Sequence, residues 1–278
     1  LAEVFEEYPV IHQGDFELFN RSFMVGPAFS QVDHQGRQAL HTAYSVITES
    51  HNIDIPSDDW PYLYLESRQV GTFYLMTIGM ILLTALIMVH LSTLKLNPGS
   101  SIWRSVDLPM FLFGAAFLVL NTKSVTEIGL IWGNTWMTNS LTFASILFVL
   151  LVSTLVFAYR PLPLGICFGL LAASLITLYL FPLPVLLALP LPLKILGTIL
   201  FVGLPFFFAG ASFAGVFKSS TNVANALGWN VIGALCGGLL EYLNMLLGFK
   251  ALYLIALVFY LIAFLLFLRR EKTSVAQS

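Results

Sequence analysis

The sequence has very few charged side chains. Only 10% of its 278 residues are aspartate, glutamate, lysine or arginine, whereas soluble globular proteins carry about 25%. Its mean hydropathy is +0.84. Such a composition is typical of chains with apolar runs of about 20 residues, which suffice to cross a bilayer. The low charge therefore excludes an ordinary soluble domain and predicts an integral membrane protein whose first partner is the lipid bilayer.

The sequence also has few cysteines and few clustered basic residues, which bears on disulfides, metal sites and nucleic-acid binding. The two cysteines, Cys167 and Cys236, both lie inside apolar runs, where cysteine usually acts as a small buried hydrophobic residue. Neither a disulfide framework nor a metal site is predicted. The net charge is −2, and the one basic cluster is Arg269, Arg270 and Lys272 near the C-terminus. No nucleic-acid partner is therefore predicted.

Acidic residues are concentrated ahead of the apolar part of the chain. Residues 1–67 hold 11 of the 15 acidic residues. In this polar head, residues 8–13 and 21–27 predict short strands, and residues 34–50 have helical spacing. A segment of about 60 residues forms only a marginal core alone. We therefore expect residues 1–67 to be the C-terminal end of a larger α/β domain and residues 68–278 to form a membrane domain.

Seven apolar runs predict membrane spans. They lie at about 71–91, from 108 onwards, 142–159, 164–180, 195–216, 221–249 and 251–268. The four prolines of residues 182–193 predict a kinked or re-entrant connection, because proline interrupts a helix. The predicted fold class is mainly α: a polytopic transmembrane helical bundle of about seven spans, preceded by a small α/β remnant.

One apolar segment is interrupted by two opposite charges. Lys123 and Glu127 have the i, i+4 spacing that lets side chains meet on a helix. Ionisable residues at membrane depth are candidates for function. The pair either lines a cavity as a buried ion pair or belongs to a solvated loop between the second and third spans.

A second segment carries a stripe of small and polar residues. Its members recur every three or four positions and so share one helix face: Asn222, Ala226, Asn230, Gly233, Gly237, Glu241 and Asn244. The stripe predicts either a close helix interface, with Gly233 and Gly237 as a small-xxx-small pair, or a polar site. As a buried carboxylate needs a partner, we expect Glu241 to pair with Lys123.

Residues 57–65, SDDWPYLYL, lie between the head and the first span. Trp60 and the tyrosines suit the interfacial zone of a bilayer. Asp58 and Asp59 either close the head at a hinge or bind a cationic amine.

Three stretches, 57–65, 111–140 and 225–256, resemble polytopic membrane proteins that are fused to a spermidine-synthase-like domain. The resemblance implies a prokaryotic plasma-membrane protein with a cytosolic, Rossmann-type transferase head. The full-length protein would bind S-adenosylmethionine or its decarboxylated form and act on a polyamine or a related substrate. Residues 1–67 contain no glycine-rich phosphate loop, so no catalytic or cofactor-binding residue is expected in this segment.

The sequence therefore leaves two alternative functions. The first is the membrane-embedded C-terminal portion of such a transferase, which anchors the catalytic domain and presents a membrane-borne substrate to it. Its partners would be the lipid bilayer, the upstream domain of the same chain and, in a homo-oligomer, a second copy. The alternative is a transporter or channel-like protein that uses the polar stripe of residues 221–248.

Overall fold

A computed structural model describes residues 10–13, 21–24, 45–46, 57, 59–62, 65, 67–96, 106–160, 162–181, 183–220 and 222–277. The chain divides into two compact units, Leu1–Ile55 and Pro56–Ser278. The break follows Ile55 rather than Ser67, where the sequence places it. Residues 57–62 belong to the second unit because Trp60 and Tyr62 bond to its helical part.

In the first unit the structure describes three short strands. β1 (Val10–Gln13) lies between β2 (Arg21–Met24) and β3 (Ser45–Val46), and both pairings are antiparallel. β1 and β2 fall within the two stretches that predict strands. An antiparallel sheet of this size is not specific to a Rossmann-type domain, so it does not establish the predicted α/β remnant.

The predicted helix over residues 34–50 is wrong at β3. Ser45 and Val46 pair with Ile11 and Val10, and the β-branched Val46 suits a strand. The other residues of the predicted helix lie outside the described ones.

The second unit is helical. Its helices are α1 (Thr72–Leu96), α2 (Leu108–Trp132), α3 (Trp136–Tyr159), α4 (Leu164–Leu180), α5 (Leu183–Leu187), α6 (Leu191–Lys218), α7 (Val223–Leu240), α8 (Asn244–Leu247) and α9 (Ala251–Gln277). A 3₁₀ turn, Glu241–Leu243, joins α7 to α8. The proline-rich connection contains the short α5 and is closed by α6, which starts directly after Pro190.

Five helical segments in the described part of the chain are long and apolar enough to cross a membrane. They are Leu108–Trp132, Trp136–Tyr159, Leu191–Lys218, Val223–Leu247 and Ala251–Arg270, and Thr72–Met88 and Leu164–Leu180 are shorter apolar helices. Large apolar side chains such as Phe73, Leu147 and Leu265 point outwards. Soluble monomers rarely expose apolar surface so extensively. The five helices are therefore consistent with an integral, multi-pass membrane protein.

The second predicted span continues further than its apolar run. α2 extends through Lys123 and Glu127 to Trp132, and these two charged side chains are only 5% and 12% exposed. The solvated-loop interpretation is therefore wrong. The helix tolerates the two charges because they neutralise each other one turn apart.

α2 lies at the centre of the bundle and meets α7 backbone to backbone. A Cβ atom on Gly114 of α2 would collide with the carbonyl oxygen of Asn230, and one on Gly233 or Gly237 of α7 would collide with a carbonyl oxygen of α2. The absence of these Cβ atoms allows the close approach. The predicted small-xxx-small contact of Gly233 and Gly237 is confirmed.

Aromatic rings fill the other side of α2. The Phe113 ring contacts those of Phe168, Phe213 and Tyr260 edge to face, at centroid distances of 5.6, 6.1 and 5.4 Å. These contacts join α2 to α4, α6 and α9, and edge-to-face packing is the arrangement that ring quadrupoles favour.

The helices alternate in direction, so the bundle has two distinct ends. At the first end, which we call the basic end, Asp107 before α2 pairs with Arg270 of α9, with Oδ2 and Nη1 3.3 Å apart. Leu164 at the start of α4 meets Gly215 near the end of α6 there. We call the opposite end, where α9 begins, the junction end, because residues 57–62 pack there.

Candidate functional site

Trp60 fastens the segment that precedes α1 to the junction end. Its side chain is 0% exposed, and its indole Nε1 donates to the carbonyl oxygen of Met245 at 2.7 Å. A tight turn presents the ring, since the Ser57 and Trp60 backbones exchange two hydrogen bonds of 2.9 and 3.0 Å. Pro61 follows directly. The predicted interfacial tryptophan is therefore a buried anchor.

Asp59 bonds to the chain just before α9. Its Oδ1 accepts from the backbone N–H of Lys250 at 2.7 Å, and its carbonyl oxygen accepts from the N–H of Phe249 at 2.8 Å. Gly248 adopts a φ of +85°, and a Cβ there would collide with the Asp59 carboxylate. Both the backbone conformation and the close approach require glycine at position 248.

Tyr62 adds a third attachment. Its hydroxyl donates to the side-chain oxygen of Asn244, which is 3% exposed. Its ring stacks on that of Phe249, with centroids 6.1 Å apart. Residues 57–62 and 244–250 together form what we call the dock.

A buried ion pair lies behind the dock. Lys123 Nζ is 2.9 Å from Glu127 Oε1, and the hydroxyl of Tyr253 donates to the other oxygen of Glu127. The same ammonium lies 5.7 Å from the ring centre of Phe249 and 5.2 Å from that of Tyr253. Phe249 therefore contacts the dock on one side and the ion pair on the other.

This arrangement holds the charge of Lys123 in place. The Lys123 ammonium is enclosed by a carboxylate and two aromatic faces, both of which favour a cation. Glu127 receives hydrogen bonds on both oxygens. Among the described residues, no group of three or more histidine, cysteine or acidic side chains could hold a metal ion.

The structure brings some of the predicted site residues together and separates the rest. Those in or beside the dock are Asp59, Trp60, Lys123, Glu127 and Asn244. Asn222 precedes α7, Asn230 lies within it and Glu241 begins the 3₁₀ turn that follows it. Asp58 lies outside the described residues.

The predicted pair between Lys123 and Glu241 is not formed. Lys123 is bound to Glu127 of its own helix, and Glu241 forms no ion pair with any of the described residues. A partner at i+4 needs no second helix in register, which favours the intrahelical pair.

The stripe on α7 is a packing interface with a cap. Asn230 Nδ2 donates to the carbonyl oxygen of Met110 on α2 at 3.1 Å, next to the backbone contacts of Gly233 and Gly237. Asn222 caps the start of α7, where its side chain accepts from the N–H of Asn225 at 3.0 Å. The interface interpretation accounts for these members of the stripe.

Sequence reasoning missed the partners that complete the site. Nothing local connects Trp60 with Met245, which is 185 residues away, or Glu127 with Tyr253, which is 126 away. An available signal was the cluster of Gly248, Phe249 and Tyr253 beside the predicted start of the last span.

Comparison with protein-family models, with curated proteins and with solved structures gave no match to this chain.

Proposed function

We propose that residues 56–278 are a multi-pass membrane anchor that ties the polypeptide before residue 56 to the bilayer through the attachment of residues 59–62 to the junction end of the bundle. The observation that carries this proposal is the dock: Asp59, Trp60 and Tyr62 each bond to residues 244–250. A flexible tether would need no such attachment, because the chain itself already links the two parts.

The burial of Trp60 is the largest single contribution to the stability of the dock. Full burial of a tryptophan removes about 150 to 250 Å² from water, which corresponds to about 4 to 6 kcal/mol at the usual coefficient. The buried hydrogen bond from Trp60 to Met245 adds about 1 kcal/mol. We therefore treat the dock as a fixed attachment.

Cutting the chain between the dock and α1 tests this proposal. A specific protease site is inserted after the exposed Gln69 in the full chain, which is then cleaved in detergent. We expect the N-terminal fragment to remain bound to the bundle on a sizing column. With Trp60→Ala we expect the fragment to separate after cleavage.

The matched control is Trp136→Ala, because Trp136 is 82% exposed on the outside of the bundle. This variant should retain the fragment as the unsubstituted chain does. Equal separation of the fragment from the unsubstituted bundle and from the Trp60→Ala bundle would show that the anchor is only covalent and would refute a fixed dock.

The resemblance of residues 57–65, 111–140 and 225–256 supports a proposal for what is anchored. By that resemblance the upstream domain is a transferase related to S-adenosylmethionine-dependent enzymes, with a polyamine or a membrane-borne compound as its substrate. Binding of S-adenosylmethionine or its decarboxylated form by the full-length protein in detergent tests this part.

The alternative proposal, a transport path along residues 221–248, has less support. Gly233 and Gly237 contact the α2 backbone, and Asn230 bonds to the same helix. A path on this face would need α2 and α7 to separate. We therefore place anchoring first.

We also propose that the bundle crosses the membrane seven times with its basic end in the cytosol. Six basic residues belong to the described termini and connections of the basic end, namely Lys95, Arg160, Lys218, Arg269, Arg270 and Lys272, against Arg68, Lys194 and Lys250 at the junction end. Cytosolic loops carry the excess of lysine and arginine. The two shorter apolar helices, Thr72–Met88 and Leu164–Leu180, would supply the sixth and seventh spans.

This orientation reverses the one that the resemblance implies. The chain enters the bundle at the junction end, where the Tyr74 ring of α1 lies 5.3 Å from that of Tyr242. An odd number of spans then places residues before 56 on the side opposite the cytosol. The orientation of the bundle therefore also bears on the proposed transferase.

A further inference from the structure

A crevice opens at the basic end, between the ends of α3, α6 and α9 and the start of α4. Its volume is about 490 Å³, within the usual range for small-ligand sites. The side chains along its wall are almost all apolar: Phe157, Leu164, Phe264, Phe267 and Leu268. A wall of this composition suits a hydrocarbon chain.

Two glycines shape the crevice. Gly215 packs against Leu164 and Phe157, so α6 approaches the neighbouring helices closely. A Cβ on Gly165 of α4 would contact only the Phe264 ring, at 3.9 Å. A larger side chain at position 165 would therefore extend into the crevice without striking backbone.

The crevice has one cation, Lys218, in the last turn of α6. Lys218 is exposed and has no acidic partner among the residues that the structure describes. The other polar side chain of the lining, Ser219, already bonds through its hydroxyl to the carbonyl oxygen of Val216 at 2.7 Å. The lining therefore combines an apolar wall with a single available positive charge.

We propose that this crevice binds one anionic phospholipid of the surrounding bilayer, with an acyl chain against Phe264 and Phe267 and the phosphate at Lys218. Lysine at a helix end reaches the headgroup level while its stem covers apolar surface. Basic pockets between spanning helices are suited to anionic headgroups. A free phosphate would leave the apolar wall uncovered, and a neutral lipid would leave Lys218 without a counter-charge.

Native mass spectrometry of the full chain in detergent tests the site. Dioleoyl phosphatidylglycerol, dioleoyl phosphatidylcholine and glycerol 3-phosphate are titrated in separate experiments. We expect one tightly retained phosphatidylglycerol per chain, weaker retention of phosphatidylcholine, and no binding of glycerol 3-phosphate.

Two variants, each with a matched control, separate the contribution of the Lys218 charge from that of the apolar wall. Lys218→Gln should weaken phosphatidylglycerol binding about fivefold and leave phosphatidylcholine unchanged, whereas Arg160→Gln, which removes a charge at the same end outside the crevice lining, should have a smaller effect. Gly165→Leu should abolish the single tight site. Gly169→Leu, one turn further along α4 with open space around its Cα, should retain it.

Equal binding of both phospholipids in all variants would refute the site, since it would indicate only a general lipid shell. Binding of glycerol 3-phosphate that depends on Lys218 would refute the lipid as its ligand. The inference rests on the proposed membrane location of the bundle. The lipid measurement is made in detergent. A negative result would therefore contradict the lipid site without contradicting the dock or the orientation, which are tested by separate experiments.

Discussion

Two tyrosines of α9 are equally buried, but they differ in whether the hydroxyl has a hydrogen-bond partner. Tyr253 and Tyr260 are each 1% exposed. The Tyr253 hydroxyl donates to Glu127, whereas the Tyr260 hydroxyl has no hydrogen-bond partner in the described part of the chain. A buried polar atom without a partner is destabilising, and a hydrogen bond to a buried carboxylate is stabilising.

Substitution of each tyrosine by phenylalanine should therefore act in opposite directions. We expect Tyr253→Phe to lower the free energy of unfolding by about 2 kcal/mol, because Glu127 loses a donor. We expect Tyr260→Phe to be neutral or stabilising. Thermal unfolding of the two variants in one detergent measures both effects, and equal destabilisation would contradict the hydrogen-bond assignment.

Removal of Lys123 should be more harmful than removal of an exposed lysine. Lys123→Met leaves Glu127 buried without its cation, which is expected to destabilise by about 3 to 5 kcal/mol. Lys250→Met, at an exposed residue, is the control and should have little effect. The measurement is again the unfolding free energy in detergent.

A double-mutant cycle identifies the partner of Lys123. Combining Lys123→Met with Glu127→Gln should show a large coupling energy, whereas combining it with Glu241→Gln should show a coupling near zero. Strong coupling only to Glu241 would restore the pair that the sequence predicted.

At the scale of helices, the contact between α2 and α7 depends on missing Cβ atoms. Gly233→Ala places a methyl group against the carbonyl of Phe111, so the helices must move apart, at about 1 to 3 kcal/mol. Gly228→Ala, on the same helix with open space around it, should instead stabilise by about 0.5 to 1 kcal/mol. Unfolding of both variants in detergent checks the difference in sign.

Composition predicted these elements well where the cause was local. The apolar runs located the spanning helices, although α3 begins six residues before its predicted run and α9 ends nine residues after its own. The spacing of Gly233 and Gly237 predicted a close helix contact that the structure bears out. The end of α2 was missed because Lys123 and Glu127 are compatible with a loop unless their mutual pairing is known. The short β3 was missed because its pairing with β1 is not a property of residues 34–50 alone.

At the scale of the molecule, the sequence predicted individual residues of the site but not that they lie together. Asp59, Trp60, Lys123, Glu127 and Asn244 were each candidates. Their meeting at the junction end depends on how α2, α7 and α9 are arranged, and no spacing along the chain encodes that arrangement. For the same reason the sequence predicted a pair between Lys123 and Glu241, whereas the structure pairs Lys123 with Glu127.

The orientation of the bundle is the prediction with the widest consequence. In a chain with Cys167 and Cys236 replaced by alanine, single cysteines are introduced at Gln69 near the junction end and at Leu162 in the α3–α4 connection at the basic end; both positions are exposed. We expect a membrane-impermeant maleimide to label Gln69→Cys in intact cells and Leu162→Cys only after permeabilisation, because the basic end faces the cytosol.

The reverse pattern would place the basic end outside and the anchored polypeptide in the cytosol, as the resemblance to spermidine-synthase-like fusions implies. Labelling of both positions from one side would mean an even number of spans between them, which would single out Thr72–Met88, the shorter apolar helix among the three that separate Gln69 from Leu162, as a helix that does not cross. None of these outcomes would change the dock, because Trp60 and Met245 lie at the same end of the bundle in either orientation. The experiment therefore determines which compartment the anchored domain occupies while leaving the means of anchoring unchanged.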